Sequence, residues 1–117
     1  MRRALLSVVF LVVAALAAAA HELHPGYLEI GQQSAERYAF RFKVPDRDGL
    51  RLALRLNLPD ACKPLEPLRT ERTETGFYDR LTAICPGGLA GRTIGVDGLA
   101  GTFTDVIVRA VRLDGTV

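Results

Sequence analysis

The first twenty residues limit what this chain can fold into, because they set both the compartment and the length of the folded part. A methionine and two arginines precede a segment, residues 4–20, that carries no charge and ends in four alanines. A short basic start, an apolar middle and small residues at the end are the parts of a secretory signal peptide. We therefore predict a signal-peptide helix over residues 1–20, cleaved after Ala20. The alternative is an uncleaved membrane anchor, since the 17 uncharged residues lie at the lower limit for spanning a bilayer.

Cleavage would leave 97 residues, His21 to Val117, which is enough for one small domain. Both leader arginines would be lost, so 13 basic residues would balance 13 acidic ones. The formal net charge of the mature chain is then zero. Phosphate binding needs a net basic face, so this balance argues against nucleic acid as a partner.

Cys62 and Cys85 are the two cysteines of the chain. In an exported protein an even number of cysteines indicates a disulfide, and we predict this pairing. The alternatives are a reactive thiol or a pair of metal-binding thiolates. Neither is favoured, because the sequence has no Cys-x-x-Cys spacing and no histidine near either cysteine. A disulfide that closes a loop of this length stabilises a fold by about 3 kcal/mol in the chain-entropy model, a large share for a small core.

Hydrophobic residues alternate with polar or small ones in two neighbouring segments, residues 37–44 and 50–58. This period of two predicts half-buried antiparallel strands, and it outweighs the helical preference of the leucines in the second segment. Residues 45–49 supply proline, aspartate and glycine for a turn between the two segments. We therefore predict a hairpin whose aromatic residues and leucines share one core face.

Three arginines of this region, Arg41, Arg51 and Arg55, have two interpretations. They could form a patch for an anionic ligand. At this spacing we favour the other interpretation, a solvent-exposed strand face, because charged side chains are rarely buried.

The remaining strand signals indicate an all-β fold. Short strands are predicted over residues 27–30, 77–84 and 92–97, and a longer one over residues 102–113 contains the run Val106-Ile107-Val108. A continuous apolar run of this kind is typical of a central strand covered on both faces. The glycines follow no nucleotide-binding template. About six short strands separated by turns predict a small antiparallel β-sandwich, immunoglobulin-like in architecture.

The chain ends shortly after another turn signal. Asp114 and Gly115 predict a hairpin turn after the last strand, and only two residues follow it. We therefore expect the domain, residues 21–117, to be truncated at its C-terminus.

His21 and His24 are the histidines of the chain, and cleavage after Ala20 would give His21 a free α-amine. This amine and the two imidazoles would offer three nitrogen ligands, a set suited to Cu(II), Ni(II) or Zn(II). The spacing is unfavourable on a strand, where residues three apart point to opposite faces, although Pro25 permits a bend. The alternative is an exposed terminus whose histidines bind nothing. The sequence offers no carboxylate pair and no Ser/His/Asp or Cys/His grouping, so we do not expect an enzyme.

Several short motifs resemble the HupE/UreJ family of membrane proteins. They are Ala-His-Glu-Leu-His-Pro-Gly-Tyr-Leu-Glu at 20–29, Phe-Lys-Val-Pro at 42–45, Cys-Pro-Gly-Gly-Leu at 85–89, Ile-x-Val-x-Gly-Leu at 94–99 and Thr-Asp-Val at 104–106. The resemblance implies hydrogenase or urease accessory roles, including nickel uptake. It also implies an exported β-domain followed by transmembrane helices that would carry any transport path. His24 stands where the family commonly has arginine, which argues against a family-wide metal role for the two histidines.

Two functional hypotheses follow. The first is a non-catalytic extracytoplasmic domain of a HupE/UreJ-like membrane protein, located at the periplasmic face of the inner membrane. It would position, or deliver a ligand to, a downstream transmembrane domain or a membrane partner. The second is a free-standing periplasmic metal-binding protein that uses His21. The only cofactor either hypothesis brings in is a nickel or copper ion.

Overall fold

The computed structural model describes residues 24–102 and 104–117. The predicted signal-peptide helix, its cleavage site and His21 lie outside these residues. The described part is all-β, as predicted, with one short 3-10 turn at Leu99–Gly101. Its strands are β1 (Gly26–Gln32), β2 (Arg37–Val44), β3 (Asp46–Arg47), β4 (Leu50–Arg51), β5 (Arg55–Asn57), β6 (Lys63–Pro64), β7 (Arg69–Thr73), β8 (Gly76–Ile84), β9 (Gly95–Asp97) and β10 (Val106–Val111). Within this part of the chain, no helix is long and apolar enough to cross a membrane.

Six strands form the main sheet, in the order β10, β1, β2 and β8, with β6 and β7 both pairing with β8. The pairs β1–β2 and β2–β8 are antiparallel, whereas β1 and β10 are parallel. The strands predicted over residues 27–30, 37–44 and 77–84 are confirmed, whereas the predicted antiparallel arrangement is wrong for the β1–β10 pair. Parallel neighbours need a long connection, and here the rest of the sheet lies between β1 and β10 along the chain.

One face of the main sheet carries the core. The alternation predicted for residues 37–44 is confirmed, because every second side chain of β2 is buried on this face. Phe42 and Val44 have no exposed surface, and burial of one such side chain stabilises a fold by about 1.5–3 kcal/mol. The buried apolar residues are Leu28, Ile30, Tyr38, Phe40, Phe42, Val44, Leu54, Cys62, Ala83 and Cys85.

The predicted hairpin between residues 37–44 and 50–58 is wrong. Both edges of β2 are occupied, by β1 and β8, so the second segment cannot pair with it. Instead it breaks into β4, which pairs with β3 across the predicted turn, and β5, which pairs with β9. Leu50 is 74% exposed, but Leu54 is buried. Three further leucines of the segment, Leu52, Leu56 and Leu58, pack against the core. Most of these leucines therefore form a second layer over the sheet and do not extend it.

β10 is an edge strand, so the prediction of a central strand covered on both faces is also wrong. Among the described residues its partner in the sheet is β1 alone. Ile107 and Val108 are 52% and 57% exposed. An apolar run predicts a strand that other residues could bury. It does not show that this chain contains residues that bury it.

The turn predicted at Asp114 and Gly115 is confirmed. The backbone amide of Arg112 donates a hydrogen bond to the carbonyl oxygen of Thr116 at 2.7 Å, which closes the turn. Gly115 has a φ of 85°, a conformation that favours glycine. The expected truncation beyond this turn stays a prediction.

Candidate functional site

The predicted disulfide between Cys62 and Cys85 is confirmed. Cys85 follows β8 directly, and Cys62 precedes β6, which pairs with β8. Both cysteines are buried. The amide of Cys85 donates to the carbonyl oxygen of Glu36 at 2.7 Å, which fixes this end of the cross-link to the start of β2. The pair is a structural link between a proline-rich loop and the main sheet, and the described residues contain no free cysteine.

The predicted metal ligands are only half described. His24 is exposed and lies two residues before β1, and its carbonyl oxygen accepts a hydrogen bond from the hydroxyl of Thr104 at 2.6 Å. This bond holds the backbone at His24 while its imidazole stays on the surface. His21 lies outside the described residues, so the chelate stays a prediction. In the part of the chain that the structure describes, no three His, Cys, Asp or Glu side chains are grouped to hold a metal ion.

The structure reveals a buried ion pair that the sequence analysis missed. Asp79 on β8 is 4% exposed and lies on the core face of the sheet. Arg51 donates to both of its carboxylate oxygens, from Nη1 to Oδ1 at 2.7 Å and from Nη2 to Oδ2 at 2.6 Å. The hydroxyl of Thr70, opposite Asp79 on β7, donates to Oδ1 at 2.8 Å. Every oxygen of the buried carboxylate therefore has a donor.

These contacts determine the charge state of the pair. Burial raises the pKa of Asp79, but the hydrogen bonds from Arg51 and Thr70 and the charge of Arg51 outweigh it, so this pKa lies below its ordinary value. The hydrogen bond to Asp79 likewise raises the pKa of Arg51. Both groups are charged at neutral pH. The ionised carboxylate has no proton to give, and its lowered pKa makes it a weak general base.

The ion pair instead anchors the second layer to the main sheet. Besides Asp79, Arg51 Nη2 contacts the carbonyl oxygen of Leu54 at 3.1 Å, so the guanidinium fixes the segment that buries Leu54. A surface depression of about 530 Å³ lies beside the pair, and Arg55, Asp97 and Leu68 are among its lining residues. A signal in the sequence was present, because Asp79 occupies the core-facing phase of a strand whose neighbours in that phase are apolar.

The three arginines considered together in the sequence do not share a surface. Arg41 lies on the face of the main sheet opposite the core, Arg51 pairs with Asp79, and Arg55 lies on β5 in the second layer. The interpretation as a solvent-exposed strand face holds for Arg41 and Arg55, which are exposed. It is wrong for Arg51, because the predicted strand is broken there and the side chain turns toward a buried carboxylate.

Comparison with protein-family models, with curated proteins and with solved structures finds no match for this chain. The resemblance to the HupE/UreJ family therefore rests on the short motifs of the sequence alone.

Proposed function

We propose that this chain is a non-catalytic extracytoplasmic domain of a HupE/UreJ-like membrane protein. It positions, or delivers a ligand to, a transmembrane part linked to the uptake of nickel or another metal ion. The observation that carries the proposal is the buried Cys62–Cys85 disulfide. Structural disulfides persist in oxidising compartments, which agrees with the export signal read in residues 1–20.

The absence of a catalytic role is supported by the chemistry of the buried charges. Asp79 is the buried charged side chain of the described residues, and its oxygens are all engaged by Arg51 and Thr70. Active sites instead keep an acid, base or nucleophile available to a substrate. The buried ion pair therefore fits a structural role, as expected of a non-catalytic domain.

We also infer that the domain is a small immunoglobulin-like β-sandwich. The support is the second layer, in which β5 and β9 form a two-stranded ribbon. Leu56 and Val96 are paired across this ribbon and pack against the core of the main sheet. Two packed β-layers are the defining element of sandwich folds.

Expression of the full chain in a Gram-negative host tests the proposal. Intact-mass measurement should find a mature form that begins at His21 and contains no free thiol, and fractionation should place it outside the cytoplasm. A variant in which Arg2 and Arg3 are replaced by glutamate should remain inside with both cysteines reduced. A cytoplasmic, reduced wild-type protein would contradict the proposal.

The role in metal uptake needs a second measurement. Co-expression with the membrane part of a HupE/UreJ-like protein should retain more of the mature domain on salt-washed inner membranes than expression without that part, and it should raise cellular nickel accumulation. Retention without a change in nickel would leave the positioning role and remove the link to metal uptake. Loss of the domain in the wash would contradict both.

The alternative, a free-standing periplasmic metal-binding protein, is favoured by the exposure of His24 just before β1. Calorimetric titration of the mature domain with Cu(II) and Ni(II) separates the two functions. Micromolar or tighter binding that is lost in His21→Ala supports the alternative. No binding, or equal binding by the variant, removes it.

A further inference from the structure

Among the described residues, no second β-layer covers the face of the main sheet opposite the core, and basic residues are concentrated on this face. We call the side of the main sheet opposite the core the open face. Pairing registers assign seven basic and two acidic strand residues to it, and Glu66 lines its depression, so its formal charge is +4, although the chain from residue 21 onward has 13 of each. The basic residues are Arg37, Arg41, Lys43, Lys63, Arg69, Arg80 and Arg109, and the acidic strand residues are Glu29 and Glu71. A neutral domain therefore has one strongly basic side.

The centre of the open face is a row of arginines on neighbouring strands. Arg41 lies opposite Arg80, and Arg80 lies opposite Arg69. Neighbouring strands are about 4.8 Å apart, so three guanidinium groups start from backbone positions spread over roughly 10 Å. Like charges directly opposite each other destabilise a sheet. An external anion that contacts this row would relieve the repulsion.

Internal partners neutralise the row only in part. Arg80 contacts Glu71 at 3.5 Å and Arg69 contacts Glu66 at 3.3 Å, in pairs whose side chains are all about half exposed or more. Exposed pairs of this kind contribute about 0–1 kcal/mol. Glu29 lies directly opposite Arg41 on β1, but within the described part of the chain no carboxylate oxygen lies in ion-pair contact with Arg41. Its guanidinium instead lies 4.4 Å from the centre of the Tyr78 ring.

The arginine row borders a depression of about 440 Å³ in the open face. Small residues on neighbouring strands, Gly31, Ala39 and Thr82, are among those that line it. The three arginines of the row and two glutamates, Glu29 and Glu66, also line it. The depression thus gives a headgroup-sized ligand access to several guanidinium groups at once.

Aromatic and apolar residues accompany the basic ones. Tyr27 and Tyr78 lie opposite Lys43 on the two strands beside it. Ile107, on the edge strand β10, lies opposite Tyr27. Tyrosine is enriched at membrane–water interfaces, since its ring is apolar and its hydroxyl is wet. Basic residues beside aromatic ones are typical of surfaces that lie on anionic lipid.

We propose that the open face binds the surface of a membrane that contains anionic phospholipid, with lipid phosphates at the arginine row. Guanidinium groups match phosphate oxygens in geometry and charge. Lipid is favoured over nucleic acid because an exported domain meets the membrane surface. The choice of lipid rests on the export proposed above, whereas the anion-binding row itself requires only the charges of the open face and not the HupE/UreJ assignment.

Vesicle co-sedimentation of the mature domain tests the proposal. The domain should bind vesicles that mix phosphatidylglycerol with phosphatidylcholine, and it should not bind pure phosphatidylcholine. Binding should be lost as salt rises from about 0.05 to 0.5 M, because exposed charges are screened over shorter distances. Equal binding to both vesicle types would overturn the proposal.

A matched pair of variants locates the contact. Arg41→Gln with Arg80→Gln removes two charges from the open face, and the partition coefficient should fall about 25-fold, at about fivefold for each charge. Arg47→Gln with Arg55→Gln removes two charges elsewhere and should lower it by less than about threefold. Far-ultraviolet circular dichroism checks that both variants fold. An equal fall in the two variants, or tighter binding to a DNA oligonucleotide than to anionic vesicles, would overturn the proposal.

Discussion

Replacement of Asp79 by asparagine should destabilise the domain more than any other neutralisation of a single carboxylate in the described residues. The side chain keeps its shape but loses the charge that faces Arg51. An asparagine amide presents one acceptor and one donor group, so one of the two short contacts with the guanidinium, at 2.6 and 2.7 Å, becomes a clash of donors. Arg51 is then left with its charge uncompensated beside the core.

The size of the effect follows from how buried each partner is. Removal of one partner from a fully buried pair costs about 3–5 kcal/mol. The Asp79 side chain is 5% exposed but that of Arg51 is 30% exposed, so water can solvate part of the orphaned guanidinium. We therefore expect a loss of about 2–3 kcal/mol in the free energy of unfolding. For a domain of this size the loss corresponds to a fall in Tm of roughly 10–20 °C.

Urea denaturation followed by circular dichroism measures the loss, and Asp97→Asn is the matched control. Asp97 is an exposed carboxylate on β9 whose contact with Asn57 is 3.4 Å long, so its replacement should cost less than about 0.5 kcal/mol. A double-mutant cycle with Arg51→Met should give a coupling energy of about 1–3 kcal/mol. If Asp79→Asn costs no more than the control, or the cycle shows no coupling, the ion pair does not anchor the second layer.

Three further predictions concern the cross-link, one turn and the pH. Replacement of both cysteines by serine should lower the free energy of unfolding by about 3 kcal/mol in urea titrations, since the bond links residues 23 apart, and dithiothreitol should give the same loss in the wild type. Gly98 has a φ of 88°, and a Cβ added there would clash with the carbonyl oxygen of Ala53. Gly98→Ala should therefore lower the free energy of unfolding by about 2 kcal/mol or more in the same assay. The control Gly101→Ala should change it little, because the added Cβ has open space around it. The stability advantage of the wild type over Asp79→Asn should be complete above about pH 4 and shrink as the pH falls through the lowered pKa of Asp79, in melting curves recorded from pH 7 to 2. An advantage that stays constant over this range would contradict the ionised state of Asp79.

Local patterns in the sequence were sufficient to predict the all-β class and four strands of the main sheet, β1, β2, β8 and β10. In residues 37–44 the aromatic alternation matches the pleat of a strand, so the buried face could be read directly. The leucine alternation of residues 50–58 was equally regular, yet this segment breaks into two short strands. Periodicity reports which side chains are covered. It does not report whether the cover comes from a sheet neighbour or from an overlying layer.

The strand order could not be predicted, because it depends on contacts between distant residues. The parallel pairing of β1 with β10 places Gly26 beside Val106, 80 positions apart in the sequence. No turn signal links these residues, and the apolar run of β10 fits an edge and a centre equally well. The disulfide was easier to predict, since a chain with an export signal in its sequence and two cysteines allows only one intramolecular pairing.

The two charged sites of this domain depend on which way single side chains point from their strands. Asp79 and Arg80 are neighbours on β8, yet Asp79 faces the core and pairs with Arg51, while Arg80 stands on the open face between Arg41 and Arg69. A shift of register by one residue would exchange their faces. Arg80 would then be buried beside Arg51 in place of a carboxylate, and the row would lose its central arginine. Net charge is unchanged by such a shift, so the overall neutrality of residues 21–117 could reveal neither the buried pair nor the basic face.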